Sequence, residues 1–233
     1  LKAGDIDFRS ENQAKAWAED YNINAVETGW LKKELIPHRM PTGMQAFVMN
    51  ARRGQFSDPR TREAVALAFD FEWTNQALFN GQYTRTTSYF SNSELAASGV
   101  PENEELKILE KFRDQLPVEV FDKVDAPPVN DGSGYLRDNL RQASRLLRES
   151  GWVVRDLKRV NEDSGALFQF EILLVTPAFE RVSLPFIRNL QRLGIEAKVR
   201  LIDESQYINR FRQFDFDMIV WVWGQSQTPG NEQ

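Results

Sequence analysis

Helices and strands alternate along the chain from residue 136 to residue 223. The helical stretches carry apolar residues at three- and four-residue spacing, and the strands are short, mostly apolar runs. In chain order, the predicted elements are a helix with Leu136, Leu140, Ala143 and Leu147 on one face, a strand at 167–175, a helix at 179–193, a strand at 195–202, a helix at 204–214 and a strand at 218–223. This alternation predicts an α/β fold, in which helices cover a sheet.

One helix in the first half of the chain has clear signals at both ends. Asp58 suits the N-cap position and Pro59 the first helical position, while Asn80 and Gly81 mark the end. Its apolar stripe consists of Val65, Phe69, Trp73, Ala77 and Leu78. We therefore expect a single helix between residues 58 and 81.

The remaining segments are shorter or less regular. They are predicted as a helix at 12–21, strands at 33–37 and 44–50, an irregular stretch at 82–101 and a Glu-rich helix at 102–115. A polar loop at 127–134 is interpreted as internal to one domain, because the part after it has too few strands for a separate sheet. The sequence therefore predicts that residues 1–233 form one α/β lobe.

Composition excludes several classes of function. The net charge is -5 and no broad basic patch stands out, which argues against a nucleic-acid partner. The longest apolar run, 218–223, is far shorter than the roughly 20 residues that cross a bilayer. The absence of cysteine excludes disulfides, thiolate catalysis and cysteine-ligated zinc. Because the chain begins at Leu1 without a signal peptide, we expect it to be an internal piece of a longer protein.

No set of residues in the sequence has the pattern of a catalytic or metal centre. His38 is the only histidine, and the Gly-x-Ser-x-Gly motif of serine hydrolases does not accompany it. The closely spaced carboxylates Asp5/Asp7 and Asp215/Asp217 are more typical of a turn and of the exposed start of a strand than of acid–base catalysis. We therefore predict a protein that is not an enzyme and that uses no metal or cofactor.

The last predicted strand leads directly into a neutral loop rich in amides. Strand 218–223 contains two tryptophans, and the loop after it begins Gly-Gln-Ser-Gln-Thr-Pro-Gly-Asn. Ligands of open α/β sheets lie beyond the carboxyl ends of the strands, so this loop is a candidate site for a polar organic ligand. The alternative is an ordinary core strand followed by a turn, and the local pattern does not decide between the two.

A set of motifs occurs in order along nearly the whole chain. They are residues 1–7 (LKAGDID), Asn50, residues 56–64 (FSDPRTREA), residues 207–210 (YINR) and residues 216–218 (FDM). Together they resemble the family 5 extracellular solute-binding proteins, the peptide and oligopeptide receptors of bacterial ABC importers. Three further stretches resemble the microcin C and oligopeptide receptor subgroup: 41–45 (PTGMQ), 68–75 (AFDFEWTN) and 91–99 (SNSELAASG).

The resemblance implies a two-lobe receptor of the type II periplasmic binding-protein class, whose lobes each contain a mixed β-sheet flanked by helices. It also implies that the ligand cleft lies between the lobes, that residues 1–8 are near the crossover between them, and that this chain is mainly the C-terminal lobe. The expected function is the capture of peptides or modified peptides in the periplasm, by a monomer that delivers them to ABC transporter permease subunits.

The resemblance further implies a set of ligand-binding residues. Tyr207 and Arg210 match the family's aromatic and arginine positions on the helix before the last strand, and Trp223 matches the tryptophan before the binding loop. The loop residues of the set are Gly224, Gln225, Ser226, Gln227 and Asn231. An alternative for Arg210 is a surface ion pair with Asp203 or Glu204.

The loop also bears on the kind of ligand and on competing functions. Relatives that bind free peptides carry an aspartate there, and its absence predicts a ligand whose amine is blocked or is held by the other lobe. A ligand-sensing domain of a transcriptional regulator stays open as an alternative, and an upstream helix-turn-helix would identify it. A hydrolase that uses His38 is a third alternative, which would require conversion of a bound peptide.

Overall fold

The chain divides into two compact units. A computed structural model of the protein describes residues 3–124, 126–228 and 230. The first unit consists of the segments Leu1–Pro37, Asp70–Thr84 and Val129–Tyr135. The second unit consists of His38–Phe69, Arg85–Pro128 and Leu136–Gln233. The assignment of the whole chain to one lobe stays a prediction.

Most helices of the described residues are short, and the strands have four to six residues. The helices are α1 (Ala14–Glu19), α2 (Asn24–Glu27), α3 (Gly54–Ser57), α4 (Pro59–Ala66), α5 (Phe71–Phe79), α6 (Asn103–Leu109), α7 (Glu119–Asp122), α8 (Arg137–Glu149), α9 (Glu180–Arg192) and α10 (Glu204–Arg212). The strands are β1 (Met44–Met49), β2 (Trp152–Arg155), β3 (Lys158–Asn161), β4 (Gln169–Leu174), β5 (Glu196–Leu201) and β6 (Met218–Trp223). Two 3₁₀ helices span Glu110–Gln115 and Pro177–Phe179.

In the first unit, hydrogen bonds to the buried Glu11 carboxylate hold the chain segment before α1 in place. The Glu11 side chain accepts a hydrogen bond from the Tyr21 hydroxyl at 2.8 Å and another from the Gln13 backbone N–H at 3.0 Å. These bonds lower the pKa of Glu11, because they stabilise its charged form. Lys33 also places its ammonium group 4.5 Å from the centre of the Trp17 ring. Polar and cation–π contacts therefore stabilise this part of the unit around Tyr21, whose side chain is buried.

The second unit is built on a four-stranded mixed sheet in the order β1-β6-β4-β5. β4 runs parallel to both β5 and β6, and β1 is antiparallel to β6. α9 connects β4 to β5, and α10 connects β5 back across β4 to β6. Right-handed crossovers in opposite directions place α9 and α10 on opposite faces of the sheet. The carboxyl ends of β4, β5 and β6 therefore share one edge with the start of β1.

Each face of the sheet has its own apolar core. Ile172 and Met218 pack on the face that α9 covers, together with side chains from α4 and α8. Leu173 and Ile219 pack on the other face with Tyr207 of α10. Successive residues of a strand point to opposite faces, so burial on both faces requires the nearly continuous apolar runs seen in β4 and β6.

The predicted alternation after residue 136 is confirmed. α8 buries Leu140, Ala143 and Leu147, and β4, α9, β5, α10 and β6 all lie inside their predicted ranges. β1 and α1 likewise fall within their predicted segments, and the stretch 82–101 forms neither helix nor strand. The Glu-rich helix is present as α6 followed by a 3₁₀ helix.

The prediction of a single helix over residues 58–81 is wrong. Asp58 does cap α4, accepting the Arg60 backbone N–H at 2.8 Å, but α4 ends at Ala66. Asp70 then caps the separate helix α5 by accepting the Trp73 backbone N–H at 3.0 Å. This second cap lies where the chain passes from the second compact unit to the first. Of the predicted apolar stripe, Val65 of α4 is buried, whereas Ala77 of α5 is exposed.

Two errors concern strands. The predicted strand 33–37 has no regular secondary structure. The hairpin of β2 and β3 was not predicted, although its residues pair in regular antiparallel register. Asp156 and Leu157 form its two-residue turn with φ of 48° and 64°. Such turns usually carry Asn-Gly or Asp-Gly, so an Asp-Leu pair gave no turn signal.

Candidate ligand-binding site

Strand β6 extends beyond its neighbour β4 at the carboxyl edge of the sheet. The pairing of the two strands ends at Leu173 and Ile219, and β4 ends one residue later. β6 continues to Trp223, where its partner is Met44 of β1. Leu174 is level with Val220, so the three residues 221–223 project beyond β4 by roughly 10 Å, at about 3.3 Å per residue. This projecting end flanks the open edge of the sheet, where ligands of α/β proteins lie.

The two tryptophans of β6 have different surroundings. Trp221 is half-buried, and its ring stacks on Phe211 of α10 with 4.1 Å between ring centres and 13° between ring planes. Trp223 lies two residues further on, on the same face of the strand, and 38% of its surface is exposed. Trp221 is therefore part of the core under α10, whereas the Trp223 ring is open to a ligand.

Tyr207 is buried under the projecting strand. Its hydroxyl donates a hydrogen bond to the carbonyl oxygen of Val220, the first residue of β6 beyond the pairing with β4. Burial raises the pKa of this hydroxyl to about 12. The hydroxyl thus gives the carbonyl a partner at the point where β6 no longer pairs with β4. Tyr207 positions the end of β6, and its direct contact with a ligand stays a prediction.

We expect Tyr207→Phe to lower the free energy of unfolding by about 1 kcal/mol at neutral pH, because the Val220 carbonyl loses its donor. In the parent protein, the pKa of folded Tyr207 is about 12, whereas an unfolded tyrosine has its ordinary pKa of 10.0. The folded state thus binds more protons in this window, and stability falls as the pH rises through it. The Tyr207→Phe variant should lack this part of the loss of stability with rising pH.

Urea unfolding at about pH 8 and about pH 11 measures both effects. Tyr135→Phe is the matched control, because it removes a hydroxyl from an exposed tyrosine. The assignment is refuted if Tyr207→Phe and the parent protein lose equal stability at the alkaline pH.

Arg210 lies at the opposite edge of the sheet from Trp223. Its Nε donates to the carbonyl oxygen of Asp215 at 2.9 Å and to Asp215 Oδ2 at 3.0 Å. Asp215 precedes β6, whereas Trp223 ends it. An ion pair was the predicted alternative for this arginine, but the partner is Asp215, and Asp203 instead caps α10. The structure therefore does not bring Arg210 together with the loop after β6.

The loop after β6 contains a buried polar group with an unmet hydrogen bond. Gln225 Oε1 is inaccessible to solvent and has no hydrogen-bond partner among the described residues. The Ser226 hydroxyl donates to a carbonyl oxygen two residues further along at 2.7 Å. Gly224 and Gln227 are exposed. Asn231, the last predicted site residue, lies outside the described residues.

A segment that the sequence did not assign to the site lies against the end of β6. A Cβ atom on Gly43 would be 2.9 Å from Val222 Cγ1 and 3.2 Å from the Trp223 carbonyl oxygen. A larger residue would therefore push against this strand end. Thr42 donates its backbone N–H to the Ser91 carbonyl oxygen at 2.8 Å. The Pro-Thr-Gly run in the sequence indicated a turn, but not its place beside the last strand.

Asn92 holds residues 38–40, which come just before Gly43 in the chain, in place. With φ of 70°, it directs Nδ2 to the carbonyl oxygens of His38 and Met40, both at 3.0 Å. His38 Nδ1 accepts the Met40 backbone N–H at 3.3 Å. The contacts of His38 are thus those of a surface loop residue. Met40 and Tyr89 present exposed side chains in the same two segments.

No described helix has both the length and the apolar character that a membrane crossing requires. Within the same residues, histidine, aspartate and glutamate side chains do not form a group of three or more that could hold a metal ion.

The whole chain, residues 1–233, matches a family model described as bacterial extracellular solute-binding proteins, family 5 Middle. The chain belongs to this family. It is 47% identical over 235 residues to the uncharacterized protein y4wM of Sinorhizobium fredii, and 44% identical over 235 residues to the "Probable peptide-binding protein YejA" of Agrobacterium fabrum. Both matches include 100% of this chain but only 35% and 38% of the respective relative.

The solved structures show which fold the chain shares. NikA from Brucella suis, in complex with Fe(III)-EDTA, matches with a TM-score of 0.61 and 20% identity, over 97% of this chain and 38% of NikA. The fold is therefore that of a type II periplasmic binding-protein lobe, with a mixed sheet flanked by helices, as the sequence predicted. Family 5 consists of extracellular solute-binding proteins, and the absence of an enzymatic activity stays a prediction.

Proposed function

We propose that this chain is the ligand-binding part of the substrate-binding component of a bacterial ABC importer. The protein captures peptides or modified peptides in the periplasm and, as a monomer, delivers them to the permease subunits. Membership of family 5 and 44% identity to a probable peptide-binding protein support this proposal. Because the chain spans under two fifths of such relatives, it supplies mainly one lobe of the receptor, with residues 1–8 near the crossover.

The observation that carries the proposal is the pairing of an exposed ring with an unmet acceptor at the end of β6. Trp223 offers an apolar surface, and Gln225 Oε1 is buried without a donor among the residues described. A buried acceptor left without a donor costs about 1–3 kcal/mol. A ligand N–H group, such as a peptide amide or an acylated amine, would remove this cost. A buried ammonium group would instead need a carboxylate.

In this proposal, some of the predicted site residues contact the ligand and others do not. Those of the loop contact the ligand together with Trp223, and Tyr207 positions the strand end from below. Arg210 does not contact the ligand in this proposal, because its guanidinium is held by Asp215 at the other edge of the sheet. The residues proposed to contact ligand are Trp223, Gly224, Gln225, Ser226, Gln227 and Asn231.

Calorimetry on the full-length protein tests the proposal with a short peptide in its free and N-formylated forms. We expect the formylated peptide to bind at least about tenfold more tightly, which corresponds to about 1.4 kcal/mol. Gln225→Glu should reverse the preference, because its carboxylate can pair with a free ammonium group. Gln227→Glu is the control, since it adds the same charge at an exposed position of the same loop.

Two outcomes would count against this site. One is a strong preference for the free amine that persists after acidic residues outside this chain are neutralised. The other is an equal response to Gln225→Glu and Gln227→Glu, which would assign the effect to loop charge in general.

A further inference from the structure

Residues 101–124 form a helical segment that buries none of its side chains. It contains α6, the 3₁₀ helix at Glu110–Gln115 and α7, and every residue in it is at least partly exposed. The longer helix α8, by contrast, buries three residues of its apolar stripe. Helices of four to seven residues are marginal in water and depend on the packing of an apolar face. This acidic helical segment therefore lacks the packing that its form requires.

The acidic helical segment also carries a set of large apolar side chains in contact with solvent. Between 47% and 61% of the surface is exposed at Ile108, Phe112, Val118 and Val124. Ile108 lies near the end of α6, and Phe112 lies in the 3₁₀ helix that follows it directly, so both belong to one continuous helical stretch. Exposed apolar groups that cluster in this way mark an interaction surface.

The charges of the segment indicate the character of what covers it. Residues 102–124 include seven acidic and four basic side chains. Two of the basic ones pair within the segment, Lys107 with Glu104 and Arg113 with Glu110, each at 2.5 Å. The Arg113 guanidinium also lies 3.8 Å from the centre of the Phe121 ring. The excess of carboxylates complements an apolar surface with a basic rim.

We propose that the rest of the full-length polypeptide covers this segment. The relatives align with all of this chain but are covered over only 35% and 38% of their length, so most of such a polypeptide lies outside these residues. The cover has to be permanent, because helices this short would unwind whenever a transient partner left. A surface on the same polypeptide stays at high effective concentration and meets this requirement. The contact is independent of the proposed ligand.

Cysteine labelling of the full-length protein tests this contact, and the chain itself contains no cysteine to interfere. Any cysteine outside the chain is first replaced by serine. Ile108→Cys and Phe112→Cys are then labelled with a maleimide, and Lys111→Cys, an exposed neighbour in the same segment, is the matched control. We expect labelling at positions 108 and 112 to be at least about tenfold slower than at position 111 in the native protein, and equal in urea.

Each alternative has a distinct result. Equal native rates at the three positions would overturn the proposal. Protection that rises with protein concentration would assign the face to a second copy, and protection that requires added permease would assign it to that partner; both overturn the proposal. If a cysteine variant does not fold, amide hydrogen exchange of the unsubstituted protein replaces it. Fast exchange throughout residues 101–124 would then overturn the proposal, and slow exchange would support it.

Discussion

Gly194→Ala should lower the free energy of unfolding by about 3 to 5 kcal/mol. Gly194 lies in the turn between α9 and β5 with φ of 81°. A Cβ atom there would be 2.9 Å from the backbone nitrogen of Arg159 and 3.0 Å from the carbonyl oxygen of Leu157. Both are backbone atoms, which cannot swing aside as a flexible side chain can. The Gly194 carbonyl also accepts the Arg159 backbone N–H at 2.8 Å, and this bond would be strained.

A disturbance of the contact between Gly194 and Arg159 would lower stability strongly, because this contact fixes the position of the buried Arg159 guanidinium. The Arg159 guanidinium donates to the carbonyl oxygens of Leu193 at 2.9 Å and Trp152 at 3.1 Å, and to the Ser144 hydroxyl at 3.2 Å. Burial lowers the pKa of Arg159, because it disfavours the charged form. If alanine at position 194 displaces the strand that carries Arg159, these acceptors are lost and a buried charge remains unpaired.

Gly165→Ala is the matched control for this prediction. Gly165 also has a positive φ, of 68°, but a Cβ there would meet no atom within 4 Å. We expect only the backbone strain of the left-handed region, about 1 kcal/mol. Denaturant unfolding of both variants measures the difference. If the two variants lose the same stability, backbone strain alone explains the effect, and the close approach of β3 to Gly194 is not important.

Trp221→Ala and Trp223→Ala should separate stability from binding. Trp221 stacks on Phe211 under α10, so its truncation should lower the free energy of unfolding by about 3 kcal/mol. Trp223 is more exposed, and its truncation should cost less stability. Its ring and indole N–H are proposed to contact the ligand, so Trp223→Ala should weaken binding by at least about tenfold. Denaturant unfolding and calorimetry on the full-length protein measure the two effects.

Val222→Ala is the control for the binding effect. Val222 is also exposed at the end of β6, but its side chain points to the opposite face of the strand from Trp223. Its truncation should leave ligand affinity within about twofold of the parent protein. Equal losses of affinity in the two variants would indicate a general disturbance of the strand end. Unchanged affinity in Trp223→Ala would remove the site from this edge.

The sequence alone predicted those helices and strands whose signals are local. The spacing of Leu140, Ala143 and Leu147 predicted α8, and the apolar run at 218–223 predicted β6, because burial of a helix stripe or of a strand follows directly from side-chain periodicity. Local signals failed where two of them competed. Asp58 and Asp70 are both good caps, and only the packing of the chain into two units shows that both are used.

For the candidate site, too, local sequence signals predicted some features and the tertiary structure decided others. The sequence by itself determined that a strand with two tryptophans enters a neutral amide loop, and with its ordered motifs it identified the family. The tertiary structure decided which residues meet there. It placed Arg210 at the far edge with Asp215 and brought Gly43 against Trp223. Strand order and register depend on pairing between residues far apart in the chain, such as Met44 with Trp223, and no local spacing encodes that pairing.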